Sequence, residues 1–185
     1  MRLKQKIILS NAIVFNALII IAVFINFFYA ANIFSTNLDN KNRLKADLIA
    51  MEIDEWLIEK KTVIEQTIET LTYMDLTDYE SCTNFLVNLN KSNPETDYAV
   101  FYENGVFANG QNWKPSPSYN PKERPWYIEA KKTTETIITE PYISISSRPD
   151  SIVFSVLKQF TTKNGVNGVC LGEVKINELL SLIQK

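Results

Sequence analysis

The densest polar-aromatic cluster in the chain is Tyr119-Asn120-Pro121-Lys122-Glu123-Arg124-Pro125-Trp126-Tyr127. One guanidinium stands among three aromatic rings, on a loop stiffened by two prolines. A guanidinium offers a planar fork that grips a carboxylate through two parallel hydrogen bonds. Aromatic walls exclude water and strengthen that pairing, and their faces attract an ammonium group. The same residues equally suit a structural arginine propping a loop over a core tryptophan. Composition and spacing leave the two readings level.

Other chemistry is sparse. The 185 residues contain no histidine, which removes His-based triads, bases and metal sites. Gly105 and Gly110 have the gap of a phosphate loop, but Gln111-Asn112 follows where Lys-Ser/Thr is required. Paired carboxylates at Glu140 and Glu173 would suit a secreted hydrolase, yet nothing in the spacing makes them meet. No enzyme activity is expected and no cofactor or metal is implied. Nineteen basic against 21 acidic residues give a net charge of −2, which argues against a nucleic-acid binder. Cys82 and Cys170 form either a disulfide or two buried thiols, since the sequence fixes no distance between them. Asn90-Lys91-Ser92 fits the glycosylation pattern, too common by chance to weigh.

The elements that position the cluster begin with an apolar run. Ile7 to Phe34 carries no charge, and Arg2, Lys4 and Lys6 precede it. A helix needs roughly 20 apolar residues to cross a bilayer, and basic flanks stay inside. The expected layout is a cytoplasmic tail over 1–6, a transmembrane helix over 7–34 and everything beyond outside the cell membrane. A cleaved signal peptide fits less well, because Phe28 and Tyr29 occupy the positions where a cleavage site wants small residues. Asn11, Asn16 and Asn26 lie within the span.

No Pro or Gly falls between Asn32 and Met74. Ile53, Leu57, Ile64, Ile68 and Leu71 form one stripe of a helix over 35–74, and Leu44 and Leu48 extend it backward. Lys45, Asp47, Glu52, Glu55, Glu59, Lys60 and Glu65 are read as its solvated face. About 40 residues at ~1.5 Å make a rod of roughly 60 Å, longer than a domain of this size needs. The excess implies pairing with the same helix of a second subunit, or passage along a second lobe. A break near Lys60-Lys61 is the alternative.

Residues 75–185 read as one α+β domain. Cys82–Asn90 predicts a short helix. Tyr98–Tyr102 and Val106–Ala108 flank Asn104-Gly105, a strong hairpin signal. Glu123–Lys132 predicts a helix opened by Pro125. Ile137–Ser146 holds Pro141 and should be an edge or bulged strand. Ile152–Thr162 and Val169–Ile176 follow, with turns at Arg148-Pro149-Asp150-Ser151 and Lys163-Asn164-Gly165. Asn177 should cap a last helix over Glu178–Gln184. Short connections predict an antiparallel sheet of about five strands with helices on one side.

The block Tyr-x-Pro-x-x-Arg-Pro-Trp-Tyr at Tyr119–Tyr127, then a helix, the Glu140-Pro141-Tyr142 strand and the Gly168-Val169…Gly172-Glu173 strand, resembles the membrane-distal lobe of the double Cache domain. This is the extracytoplasmic sensor of many bacterial chemoreceptors, histidine kinases and diguanylate cyclases. The resemblance implies a PAS-like sheet and a sensor that binds a small carboxylate-bearing metabolite, most of all an amino acid. It implies that Tyr119, Arg124 and Trp126 hold the ligand carboxylate, and that Tyr127 and Tyr142 serve the amino end. Where the family places an Asp, this chain has Glu173, one methylene longer. Glu173 is alternatively the salt-bridge partner of Arg124 in the empty state. The family continues into a membrane-proximal lobe, a second transmembrane helix and an output module, whereas this chain stops at Lys185. The distal half of a receptor, working as a homodimer through the long helix, is therefore expected. The rival reading is a membrane-anchored structural or interaction protein, or a truncated receptor remnant, with a vestigial pocket.

Overall fold

The structure, a computed structural model, describes residues 3–146 and 151–183. The chain divides into two compact units, Met1–Ala50 and Met51–Lys185. One helix, α1 (Leu3–Tyr73), runs through both and is unbroken at Lys60-Lys61.

In the first unit, α1 contains an apolar stretch long enough to cross a membrane, with none of that stretch buried. Asn26 donates its side-chain amide to the Ala22 carbonyl at 2.9 Å, so this polar group is satisfied within its own helix.

The second unit is a sheet with helices on its faces. After α1 come α2 (Tyr79–Ser92), β1 (Thr96–Tyr102), β2 (Phe107–Asn109), α3 (Pro125–Ala130), β3 (Ile137–Ile138), β4 (Tyr142–Ile143), β5 (Ile152–Thr161), β6 (Asn167–Lys175) and α4 (Ile176–Ile183). Helix α2 starts earlier than its apolar pattern suggests, because the Asp78 carboxylate accepts the Ser81 amide at 2.9 Å and caps it. Helix α4 starts at Ile176, so Asn177 lies inside its first turn rather than capping it. Gln184 and the turn expected at Arg148-Pro149-Asp150 fall outside the described residues.

Every strand pair is antiparallel, in the order β2-β1-β6-β5-β3 with β4 also on β5. The hairpin turns at Gly105, whose φ of +100° favours glycine. The expected Ile137–Ser146 strand is two short ones. Ile138 pairs with Val156 and Tyr142 with Val153, so the edge carries one more residue than β5 between these pairs, and Pro141 sits in that bulge.

The helices cover both faces, not one. On one face the C-terminal part of α1 and α2 pack Ile64, Leu71, Cys82 and Leu86 onto Tyr98, Val100, Tyr102, Val156, Cys170 and Val174. On the other, α3 packs Trp126 and Ala130 onto Phe101, Leu157, Val169 and Leu171. Strand alternation sends even positions of β1, β5 and β6 to the first face and odd positions to the second. Gly172 makes room on the first face: a Cβ there would lie 2.8 Å from Thr96 Cγ2 and 3.2 Å from the Tyr98 ring.

Lys60 does not belong to a solvated face. It is 2% exposed and ion-paired with Glu95, which is 39% exposed, and its ammonium lies 5.4 Å from the Trp56 ring centroid. Lys60 and Thr67, both buried, occupy the same stripe as half-buried Ile53 and Leu57 and buried Ile64 and Leu71; being polar, they interrupt its apolar signature. Leu44 and Leu48 are exposed. Cys82 and Cys170 are both free and buried, so the disulfide is not formed. Burial pushes the Cys82 thiol up to about 12, which leaves it protonated and unreactive.

Candidate functional site

Asn120 opens the segment that carries the arginine. Its side chain accepts the Lys122 amide at 3.1 Å and donates to Glu123 Oε1 at 2.8 Å, locking a 3-10 turn over Pro121–Glu123. Arg124 follows with φ −78° and ψ 143°, the extended backbone imposed on a residue before proline. Pro125 then starts α3, and Trp126, 2% exposed, anchors that helix to the sheet. Arg124 is thus pinned between two turns above the odd-numbered face.

The loop after β2 closes the opposite wall. The Asn109 side chain accepts the amides of Gln111 at 3.1 Å and Trp113 at 2.9 Å, and donates to the Trp113 carbonyl at 2.6 Å. This Asx-type turn holds the Trp113 ring edge-on to Phe107 at 6.1 Å and to Tyr119 at 5.2 Å. Between these walls lies a small cavity of about 30 Å³. Its floor is the odd-numbered face of β1 and β6, with Asp97, Ala99, Leu171 and Glu173. Tyr119, Arg124 and Trp126 line it from above.

Tyr142 stands between the opposite charges. The Arg124 guanidinium carbon lies 5.8 Å from its ring centroid, while its hydroxyl donates to Glu173 Oε1 at 2.7 Å. The phenol has one proton, so Ser155, at 2.6 Å, donates to it in turn. Ser144 donates to Glu173 Oε2 at 2.9 Å and Ser146 at 3.4 Å. Arg124 Nη2 instead donates to the Ile143 carbonyl at 3.1 Å. Among the described residues no ion pair joins Arg124 to Glu173, so the salt-bridge alternative is not what the structure shows. Burial pushes the Tyr119 phenol up to about 12, against the pull of the Arg124 charge. Burial, followed by the Glu173 charge, pushes Tyr142 far above its ordinary range.

Of the six residues singled out in the sequence, Tyr119, Arg124, Trp126 and Glu173 line the cavity, and Tyr142 bridges Glu173 and Arg124 at its edge. Tyr127 lies elsewhere: its hydroxyl donates to Glu103 Oε1 at 3.0 Å, beside Lys131 at the same distance, and its ring packs on Phe101. Glu140 is exposed and outside the lining, so it does not meet Glu173 there. Asn90 is built into the fold, its side-chain oxygen accepting the Tyr98 amide at 3.0 Å. Asp97, Gln111, Trp113, Ser144 and Ser146 complete the site without having been marked in the sequence. The alternation Tyr142-Ile143-Ser144-Ile145-Ser146 is the one local signal that points three hydroxyls the same way.

The second unit is thus a PAS-like antiparallel sheet with helices on both faces and a charged, aromatic-walled cavity on the α3 side. No family model matches the chain. A probable methyl-accepting chemotaxis protein of Bacillus thuringiensis is 35% identical over 105 residues, 55% of this chain and 15% of that protein. The chain thus spans well under a third of that curated relative. Among solved structures, the ligand-binding domain of the Pseudomonas aeruginosa amino acid chemoreceptor PctC in complex with GABA superimposes with a TM-score of 0.69 at 21% identity, over 78% of this chain and 67% of that one. The ligand-binding domain of the Pseudomonas fluorescens chemoreceptor CtaA with L-serine gives 0.68 at 20%, over 79% and 63%. The fold is therefore that of the Cache-type ligand-binding domains of chemoreceptors.

Proposed function

We propose that the chain is the membrane-anchored sensor part of a chemoreceptor-type transducer and that its cavity holds an amino acid. Arg124 takes the carboxylate, with Tyr119 and Trp126 as walls; Glu173, backed by Tyr142, takes the ammonium. The observation that carries this reading is the separation of charge: a guanidinium and a carboxylate flank one cavity, with the Tyr142 ring at one and its hydroxyl on the other. A zwitterion satisfies both. GABA and L-serine, bound by the two structural neighbours, are both of that class. Helix α1 anchors the chain, with its N-terminus in the cytoplasm and the cavity outside, and pairs with its copy in a homodimer. Ligand shifts the conformational equilibrium only by its differential affinity for the two states.

The test is isothermal calorimetry on the full chain in detergent, with the twenty amino acids and common organic acids. At least one amino acid should bind. A folded sample that binds none of them refutes the reading and leaves a structural role for the lobe.

A further inference from the structure

The cavity is small for the charges that flank it. At about 30 Å³ it has room for roughly two water molecules. Its walls have little freedom to retreat. Leu171 on the floor and Trp126 above it are each 2% exposed and belong to one packed cluster. A third side is a trio of rings: Phe107, Trp113 and Tyr119 meet edge to face, with centroids 5.2–6.1 Å apart. Trp113 is also fixed from outside the trio, because the buried Asn109 side chain accepts its amide and donates to its carbonyl. The loop that carries it leaves β2 with the Gly110 amide donating to the Tyr98 carbonyl at 2.9 Å, and ends with the Tyr119 amide donating to the Ser116 carbonyl at 2.9 Å. Both ends of the loop and the base of the indole are thus hydrogen-bonded in place.

We propose that this cavity selects the shortest amino acids, glycine, alanine and serine, and that the Trp113 indole sets the limit. This rests on the amino acid reading above. Arg124 and Ile145 line both the cavity and an open hollow on the surface, so the mouth lies beside the guanidinium. A carboxylate held there by Arg124 leaves the rest of the ligand inward. With the α-ammonium on Glu173 both charged ends are fixed, and the side chain has to share the remaining space with Trp113 and Leu171. A close-packed wall admits extra atoms only by forcing side chains off their rotamers or by shifting backbone. One methylene in excess in an apolar pocket is enough to change discrimination by about 10-fold to 200-fold. The isobutyl group of leucine exceeds the methyl of alanine by more than that, and the hydrogen bonds of Asn109 oppose the retreat of the indole that would admit it.

The experiment compares glycine, L-alanine, L-serine, L-leucine and L-phenylalanine on the full chain in detergent by calorimetry, for the wild type and Trp113→Ala. In the wild type, at least one of the three short amino acids should bind at least about tenfold more tightly than leucine and phenylalanine. Trp113→Ala should raise the leucine-to-alanine affinity ratio by at least about tenfold. Leucine or phenylalanine binding the wild type as tightly as the short amino acids overturns the proposal while sustaining the amino acid reading. An unchanged ratio in a folded Trp113→Ala variant also overturns it, since another wall would then set the limit. Binding by none of the twenty amino acids refutes the underlying reading, and this proposal with it. Trp113→Phe keeps the test open if Trp113→Ala melts early: it retains a ring against Phe107 and Tyr119 and should raise the ratio by at least about threefold, and an unchanged ratio counts against the proposal.

Discussion

Removing the guanidinium at position 124 separates ligand capture from structural support. Arg124 has five N–H donors and spends one on the exposed Ile143 carbonyl. Two parallel donors remain for a carboxylate, each charge-assisted bond being worth about 1.5–3 kcal/mol net. Arg124→Ala should therefore cost at least about 3 kcal/mol of binding, on the order of a hundredfold in Kd. The folding cost is smaller. One hydrogen bond to a solvated carbonyl is worth about 1 kcal/mol, a few degrees in Tm. Arg124→Lys keeps the charge but loses the fork, and should fall between wild type and alanine. Calorimetry gives the affinity and circular dichroism the melting point. Because every ligand of this class shares the carboxylate, the fold-loss should be the same for each amino acid that binds. An Arg124→Ala variant whose affinities stay within about threefold of wild type, or that loses several kcal/mol of stability, would show the arginine to be a prop for the loop over Trp126.

The Lys60–Glu95 pair is asymmetric in burial, so its two halves should respond differently to loss of the partner. Glu95→Gln leaves an ammonium buried at 2% exposure and should cost about 3 kcal/mol in urea unfolding, whereas Lys60→Met keeps the stem, frees Glu95 to solvent and should cost about 1 kcal/mol or less. Equal costs would mean Lys60 is not truly desolvated. Tyr142→Phe strands the buried Ser155 hydroxyl and one Glu173 oxygen, for about 2 kcal/mol; adding Ser155→Ala should recover part of that, because removing both partners leaves fewer orphans. A strictly additive double variant would refute the shared bond. Raising pH tests Tyr119. Its phenol titrates near 10 when unfolded and is pushed up to about 12 by burial, so the stability it contributes is complete below pH 10 and drains away as pH climbs toward 12. Tyr119→Phe should flatten the alkaline stability curve in that window; an unchanged slope means the ring is not buried in solution.

Local chemistry was legible in the sequence and long-range register was not. Asn104-Gly105 forces its turn wherever the chain goes, and Pro141 cannot donate to a ladder, so the hairpin and the interrupted edge strand could be read directly. Arg124 and Trp126 were visible because a proline-bounded turn fixes them within a few residues. Tyr127 follows Trp126 directly, yet on a helix adjacent side chains diverge by about 100°, and the hydroxyl goes to Glu103 instead of the cavity. Asp97 is unremarkable in its own segment. It becomes a site residue only because β1 pairs with β6 in the register that sets it against Glu173. Lys60 defeated the pattern for a related reason: a polar residue on an apolar stripe needs a partner that periodicity cannot supply, and Glu95 lies 35 positions away.

The same register places α1 directly behind the cavity floor. Across the front face run Asp97, Glu173 and Ser155, one from each of β1, β6 and β5. The adjacent row, on the opposite face, is Thr96, Val174 and Phe154. Phe154 packs edge-on to Trp56 of α1 at 6.1 Å, and Trp56 lies beside the Lys60 ammonium, whose partner Glu95 immediately precedes Thr96. One layer of β-sheet therefore separates the carboxylates of the floor from the helix. Packed interiors have few voids to absorb a shift, so displacing the front row displaces the back row with it. On the proposed reading, a ligand that draws Glu173 toward its ammonium acts on Val174 and Phe154 through the backbone they share, and so on the one element of this lobe that continues into the apolar, membrane-length stretch.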